Sequence, residues 1–129
     1  MDGSGRFCAV VNCMDGMVQI PVINFLKARL EVDFVDSITE PGPVRILAER
    51  ADDGILDSIL HRLRVSIEKH GSEAVAVVGH HDCTGNPAPD AAQKRHIKKA
   101  VCFLQDIFPD RKILALWVDS QWQVSELAV

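Results

Sequence analysis

Five consecutive apolar residues, Ala74-Val75-Ala76-Val77-Val78, run straight into Gly79-His80-His81-Asp82-Cys83-Thr84-Gly85-Asn86-Pro87. A short run without alternation reads as a strand buried on both faces, and such strands belong to parallel sheets covered on both sides by helices. The polar residues that follow then sit at the strand's C-terminal end, where open α/β sheets place their ligands.

Phe7-Cys8-Ala9-Val10-Val11 has the same character and leads into the turn Asn12-Cys13-Met14-Asp15-Gly16. Ile20, Ile23, Leu26 and Leu30 recur at helical spacing, which predicts a helix over about 19–30 with Pro21 tolerated in its first turn. Val32 to Val35 reads as a second strand, and Thr39-Glu40-Pro41-Gly42-Pro43 as a rigid turn. Leu56, Ile59, Leu60, Leu63 and Ile67 form a clear helical stripe that Gly71 stops. Asp90, with Gln93 three residues later, resembles a capping box, and Ile97, Ala100, Val101 and Leu104 mark a third helix that Pro109 ends. Ile113 to Val118 is a fourth strand, with a short extended segment over 123–128.

Strands that alternate with helices predict an α/β fold, doubly wound, with a mainly parallel four-stranded sheet in the order 2-1-3-4 and helices on both faces. A chain of 129 residues, 47% hydrophobic and 25% charged, suits one domain over residues 1–129. In that strand order Cys13 ends strand 1 while His80 and Cys83 follow strand 3, so distant residues meet at the topological switch point.

Two thiolates and an imidazole suit zinc better than magnesium or calcium, and three protein ligands leave a position for water, the pattern of a catalytic site. Asp15, two residues past Cys13, is placed either to hydrogen-bond that water or to fill the fourth position itself. His81 is a candidate proton shuttle and Asp82 a turn residue. His61, His70 and His96 read as surface residues, and Cys8 and Cys102 as core or near-surface thiols. The formal charge of -4 gives no reason to expect nucleic acid, no apolar stretch reaches membrane-spanning length, and the N-terminus has no signal-peptide pattern, so a cytoplasmic protein is expected.

Cys13-Met14-Asp15-Gly16-Met17 and His80-His81-Asp82-Cys83 resemble the Cys-x-Asp-x-Arg and His-x-x-Cys motifs of the β-class carbonic anhydrases. Ser66-Ile67-Glu68 and Leu116-Trp117-Val118-Asp119 are similar to further segments of that family. The resemblance implies zinc on Cys13, His80 and Cys83, reversible hydration of CO₂ as the small-molecule reaction, Asp15 as the residue that orients the attacking water, and assembly into a homodimer or higher oligomer. Met17 stands where the family has its Arg, Arg45 is the nearest candidate to replace that guanidinium, and the family's long N-terminal helical arm is absent from this sequence. A non-catalytic zinc-binding or assembly protein, with Asp15 closing the metal shell, is the alternative; a metal-free thiol protein using Cys13 and Cys83 is a third.

Overall fold

The computed structural model describes residues 5–129. Its elements are β1 (Phe7–Cys13), α1 (Gln19–Leu30), β2 (Phe34–Glu40), α2 (Pro43–Glu49), α3 (Asp53–His70), β3 (Ala74–His80), α4 (Asp90–Ile107), β4 (Lys112–Val118) and β5 (Val124–Leu127), with a 3-10 turn at Gly16–Val18. They form an α/β fold around one sheet in the order β2-β1-β3-β4-β5. The first four strands are parallel, as the alternation of elements requires, and β5 is antiparallel to β4.

The fifth strand extends the expected four. Asp119 accepts hydrogen bonds at Oδ1 from the amides of Gln121 and Gln123, which closes a tight turn after β4. So short a connection can only deliver an antiparallel neighbour, because parallel pairing needs a long crossover.

Four local expectations are corrected. β2 begins at Phe34 and runs through Thr39 and Glu40, paired with β1 from Phe7↔Phe34 to Cys13↔Glu40. It is an edge strand carrying Asp36, Ser37 and Thr39, so it lacks the apolar run that marks β1 and β3. Residues 43–49 form the unforeseen helix α2, with Pro43 in its first turn and Gly42 left-handed before it (φ 59°), burying Val44 and Leu47. Asp90 is the first residue inside α4, not its cap; the Gln93 amide donates to the Pro89 carbonyl, and the Gln93 side chain is fully buried. On α1 the buried residues are Val22 and Leu26, while Ile20, counted in the expected inner stripe, is 69% exposed.

The two faces of the sheet bury separate cores. Ala9, Val11, Val75, Val77, Ile113 and Ala115 pack under α2, α3 and α4, and Cys8, Val10, Ala76, Val78, Leu114 and Leu116 pack under α1 and the 3-10 turn. The β1–β3 ladder ends at Val11↔Val77 although both strands continue, to Cys13 and His80. Past that pair the backbones no longer bond to each other, and the crevice expected at the switch point opens there.

Candidate metal centre

Cys13, His80 and Cys83 come together in this crevice. All three are buried, and one candidate ligand atom from each lies within 4.8 Å of the others. The Cys13 and Cys83 sulfurs are 3.8 Å apart and both thiols are free. That gap is far too long for a disulfide, but it equals the edge of a tetrahedron with metal–sulfur bonds of about 2.3 Å, which is about 3.8 Å.

The imidazole is oriented from behind. His80 Nδ1 lies 3.0 Å from the His81 carbonyl oxygen, which can only accept, so Nδ1 carries the proton and Nε2 presents its lone pair. His81 is itself pinned, its amide donating to the Val118 carbonyl at 2.9 Å. Nε2 is buried and has no aligned hydrogen-bond partner. A buried acceptor left bare is costly, and two sulfurs converging on the same point with it supply the donor set of a zinc site.

Main-chain amides serve the sulfurs. Gly42 and Asp15 direct theirs at Cys13, and Asn86 and Gly85 direct theirs at Cys83. Burial pushes the Cys13 thiol up, but the adjacent His80 imidazole and these amides outweigh it and hold the thiol at about 7. Burial opposes protonation of His80 too, yet its interaction with Cys13 raises its pKa on balance. Burial, reinforced by the charge on Cys13, raises the Cys83 thiol. The first proton to leave the pair is therefore that of Cys13.

The loops that carry these amides are locked together. A Cβ on Gly42 would stand 2.6 Å from the Gly85 carbonyl carbon, and one on Gly85 would stand 2.5 Å from the Pro41 carbonyl carbon. Only glycines let the turn before α2 and the turn after β3 press backbone to backbone. On the other side, Asn12 accepts from the Cys13 amide and donates to the Val18 carbonyl, and Gln19 Nε2 donates to the carbonyls of Cys13 and Asp15.

The remaining expected site residues stand around this cluster. Asp15 is half-buried; its Oδ1 accepts from the Met17 amide at 2.9 Å and so caps the 3-10 turn. It lines a cleft of about 320 Å³ over the cluster, with Cys13, Met14, Pro41, Thr84 and Gly85. His81 turns outward, with Nδ1 3.0 Å from Asp90 Oδ1. Arg45 pairs with Glu49 one turn along α2. Asp82 is left-handed (φ 56°), as befits a turn residue.

His96 corrects its reading as a surface residue: it is half-buried, and its Nδ1 accepts from Asn86 Nδ2 at 3.1 Å. Asn86, 1% exposed, is the residue whose amide faces the Cys83 sulfur, so His96 braces the Cys83 loop from α4. Asn86 lies only three residues past Cys83. Its contact with His96 leaves no pattern in the sequence.

A second polar cluster lies at the opposite end of the sheet. Ser66, in the segment similar to Ser-[Leu/Ile]-Glu, donates to Asp36 Oδ2 at 2.6 Å and shares a 2.6 Å hydroxyl contact with Ser72. His70 Nδ1 also bonds Asp36 Oδ2, and Arg111 donates to the Ser72 carbonyl.

The model of the family described as "Putative carbonic anhydrase" matches residues 3–128. No curated protein matches the chain.

Proposed function

We propose that this chain, which belongs to the family of carbonic anhydrase-like proteins, holds zinc on Cys13, His80 and Cys83 and hydrates CO₂ reversibly to bicarbonate. The observation that carries the reading is the bare, buried His80 Nε2 converging with two sulfurs 3.8 Å apart. Zinc on three protein ligands supplies a Lewis acid that makes water nucleophilic near neutral pH.

The chain's own residues do the rest. The His81 carbonyl fixes the His80 tautomer, and four main-chain amides stabilise thiolate charge at Cys13 and Cys83. Asp15, held by the Met17 amide where the family uses an Arg, has its second carboxylate oxygen available to accept a hydrogen bond from water in the cleft and so to orient it. The side chain of Met14 gives that cleft an apolar wall suited to a small, nonpolar substrate. His81, bonded to Asp90 on the outside of the loop, is positioned to pass protons to buffer. Asp15 is not among the residues whose ligand atoms converge within 4.8 Å, which favours the open site over a shell closed by Asp15.

Met14, Met17 and Ile20 are each more than half exposed beside the cleft, a grouping that favours assembly with a second copy over this face. One domain over residues 1–129 carries the whole site, and four free thiols suit a reducing compartment such as the cytoplasm. No described helix is long and apolar enough to cross a membrane.

Stopped-flow CO₂ hydration on protein with one equivalent of zinc tests the reading. Turnover that disappears in Cys13→Ala is expected; no turnover across about pH 7 to 9 with zinc bound would overturn the reaction. Asp15→Asn separates the two roles of that carboxylate: an orienting role predicts a rate lowered on the order of a hundredfold with zinc content unchanged, whereas loss of zinc would make Asp15 a ligand.

A further inference from the structure

A second cleft, of about 490 Å³, lies between α2 and α4, lined by Ala48, Arg50, Lys98, Lys99, Cys102, Phe103 and Asp106. None of these residues lines the cleft over Cys13. From its charge and shape we infer that it binds a small phosphate-bearing molecule with hydroxyl or amino donors at its other end.

The charge is concentrated against the trend of the whole molecule. The chain is formally -4, yet Lys94-Arg95-His96-Ile97-Lys98-Lys99 places four formal cations in six positions of α4. Five of the seven other arginines find acidic partners: Arg6 with Glu73, Arg29 with Glu126, Arg45 with Glu49, Arg62 with Glu40 and Arg111 with Asp110. Arg50, Lys98 and Lys99 form no ion pair with a described residue. The Arg50 guanidinium instead lies 5.0 Å over the Phe103 ring, which restrains it facing the cleft and lowers the entropy lost when an anion is bound.

The helix spacing gives the site a direction. Lys98, Cys102 and Asp106 fall at i, i+4 and i+8 on one row of α4, and Lys99 and Phe103 on the next, so the two lysines leave the helix about 10 to 12 Å along its axis from Asp106, with Arg50 over Phe103 between them. A phosphate fits the lysine end, where two ammonium groups match its oxygens and the Arg50 fork stands beside them over Phe103. Asp106 can only accept at neutral pH, so the far end selects donors and repels a second anion. The Phe103 ring and Ala48 between them suit the carbon skeleton that joins the two groups.

Cys102 provides a built-in reporter, because it is the exposed member of the four cysteines while Cys8, Cys13 and Cys83 are buried. The test is the rate of Cys102 alkylation by iodoacetamide, a neutral reagent, with ribose 5-phosphate, inorganic phosphate or ribose added at constant ionic strength. Saturable protection by ribose 5-phosphate and none by ribose is expected. Lys99→Gln should weaken that protection about tenfold, the loss of one charge-assisted contact, and Lys112→Gln, on an exposed residue at the start of β4, should leave it unchanged. Asp106→Asn should weaken ribose 5-phosphate more than inorganic phosphate. Absence of protection, or protection equal in Lys99→Gln and in the unsubstituted protein, would overturn the inference, and neither result depends on whether the other cleft holds zinc.

Discussion

The two ends of the sheet each carry a histidine among small polar groups, and they differ in what those groups have for partners. At the N-terminal end Asp36 accepts from Ser66 and His70, Ser66 meets Ser72, and Arg111 closes the set on the Ser72 carbonyl. At the C-terminal end His80 Nε2 is bare and two sulfurs stand at contact distance without a bond between them. The first cluster satisfies itself and ties β2, α3 and the turn before β3 together. The second is complete only with something added. Buried polar groups that close on one another are scaffold; buried groups that converge and remain open are a site.

Substitutions at the two ends should therefore fail in different ways. The largest effect is expected for Cys83→Ser, which removes one of three soft donors. Zinc affinity in a competition assay should fall by well over about a hundredfold, more than any change behind the donors would cost. Unchanged affinity would mean the metal sits elsewhere and the contrast between the ends is false.

Gly42→Ala comes next. A methyl group there would stand 2.6 Å from the Gly85 backbone, at a φ of 59°, so both close approach and conformation penalise it. Urea unfolding should show a loss of about 2 to 4 kcal/mol, accompanied by weaker zinc binding because the Gly42 amide serves Cys13. Ser66→Ala should cost about 1 to 3 kcal/mol by leaving Asp36 and Ser72 short of a partner, with zinc affinity unchanged. A fall in zinc affinity in Ser66→Ala would couple the two ends and blur the contrast.

The smallest effect concerns His96, whose pKa is lowered by burial and by the cations of Arg45, Lys99 and Arg95 against the pull of Glu49. A histidine with a lowered pKa binds fewer protons folded than unfolded just below about pH 6.5, so stability should decline as pH falls from there toward the folded pKa. Protonation also turns Nδ1 into a donor facing the Asn86 amide and breaks the brace on the Cys83 loop. His96→Ala should lower zinc affinity about tenfold at neutral pH and remove that part of the acid sensitivity. An identical pH profile in the variant would exclude His96 as its source.

Much of this was legible in the residues. The apolar runs at 7–11 and 74–78, the stripe at 56–67 and the strand at 113–118 fixed the parallel order, because fully buried strands and amphipathic helices leave strong periodic marks. The convergence of Cys13, His80 and Cys83 followed from that order and is what the geometry displays. The second strand was read at Val32 to Val35, but its run through Glu40 escaped because an edge strand facing solvent has no apolar run, and α2 escaped because Pro41, Gly42 and Pro43 look like a turn even though Pro43 starts a helix. Ile20 was assigned inward because α1 is apolar nearly all round, so spacing alone does not select a face. The Gly42 and Asn86 amides could not be foreseen, since a main-chain donor carries no residue signature.

X-ray absorption at the zinc edge, on protein loaded with one equivalent, addresses the convergent cluster most directly. Two sulfur scatterers at about 2.3 Å, one imidazole at about 2.0 Å and a single further light atom are the expected shell. A shell without sulfur, or one with a single sulfur, would place the metal away from Cys13 and Cys83 and contradict the assignment.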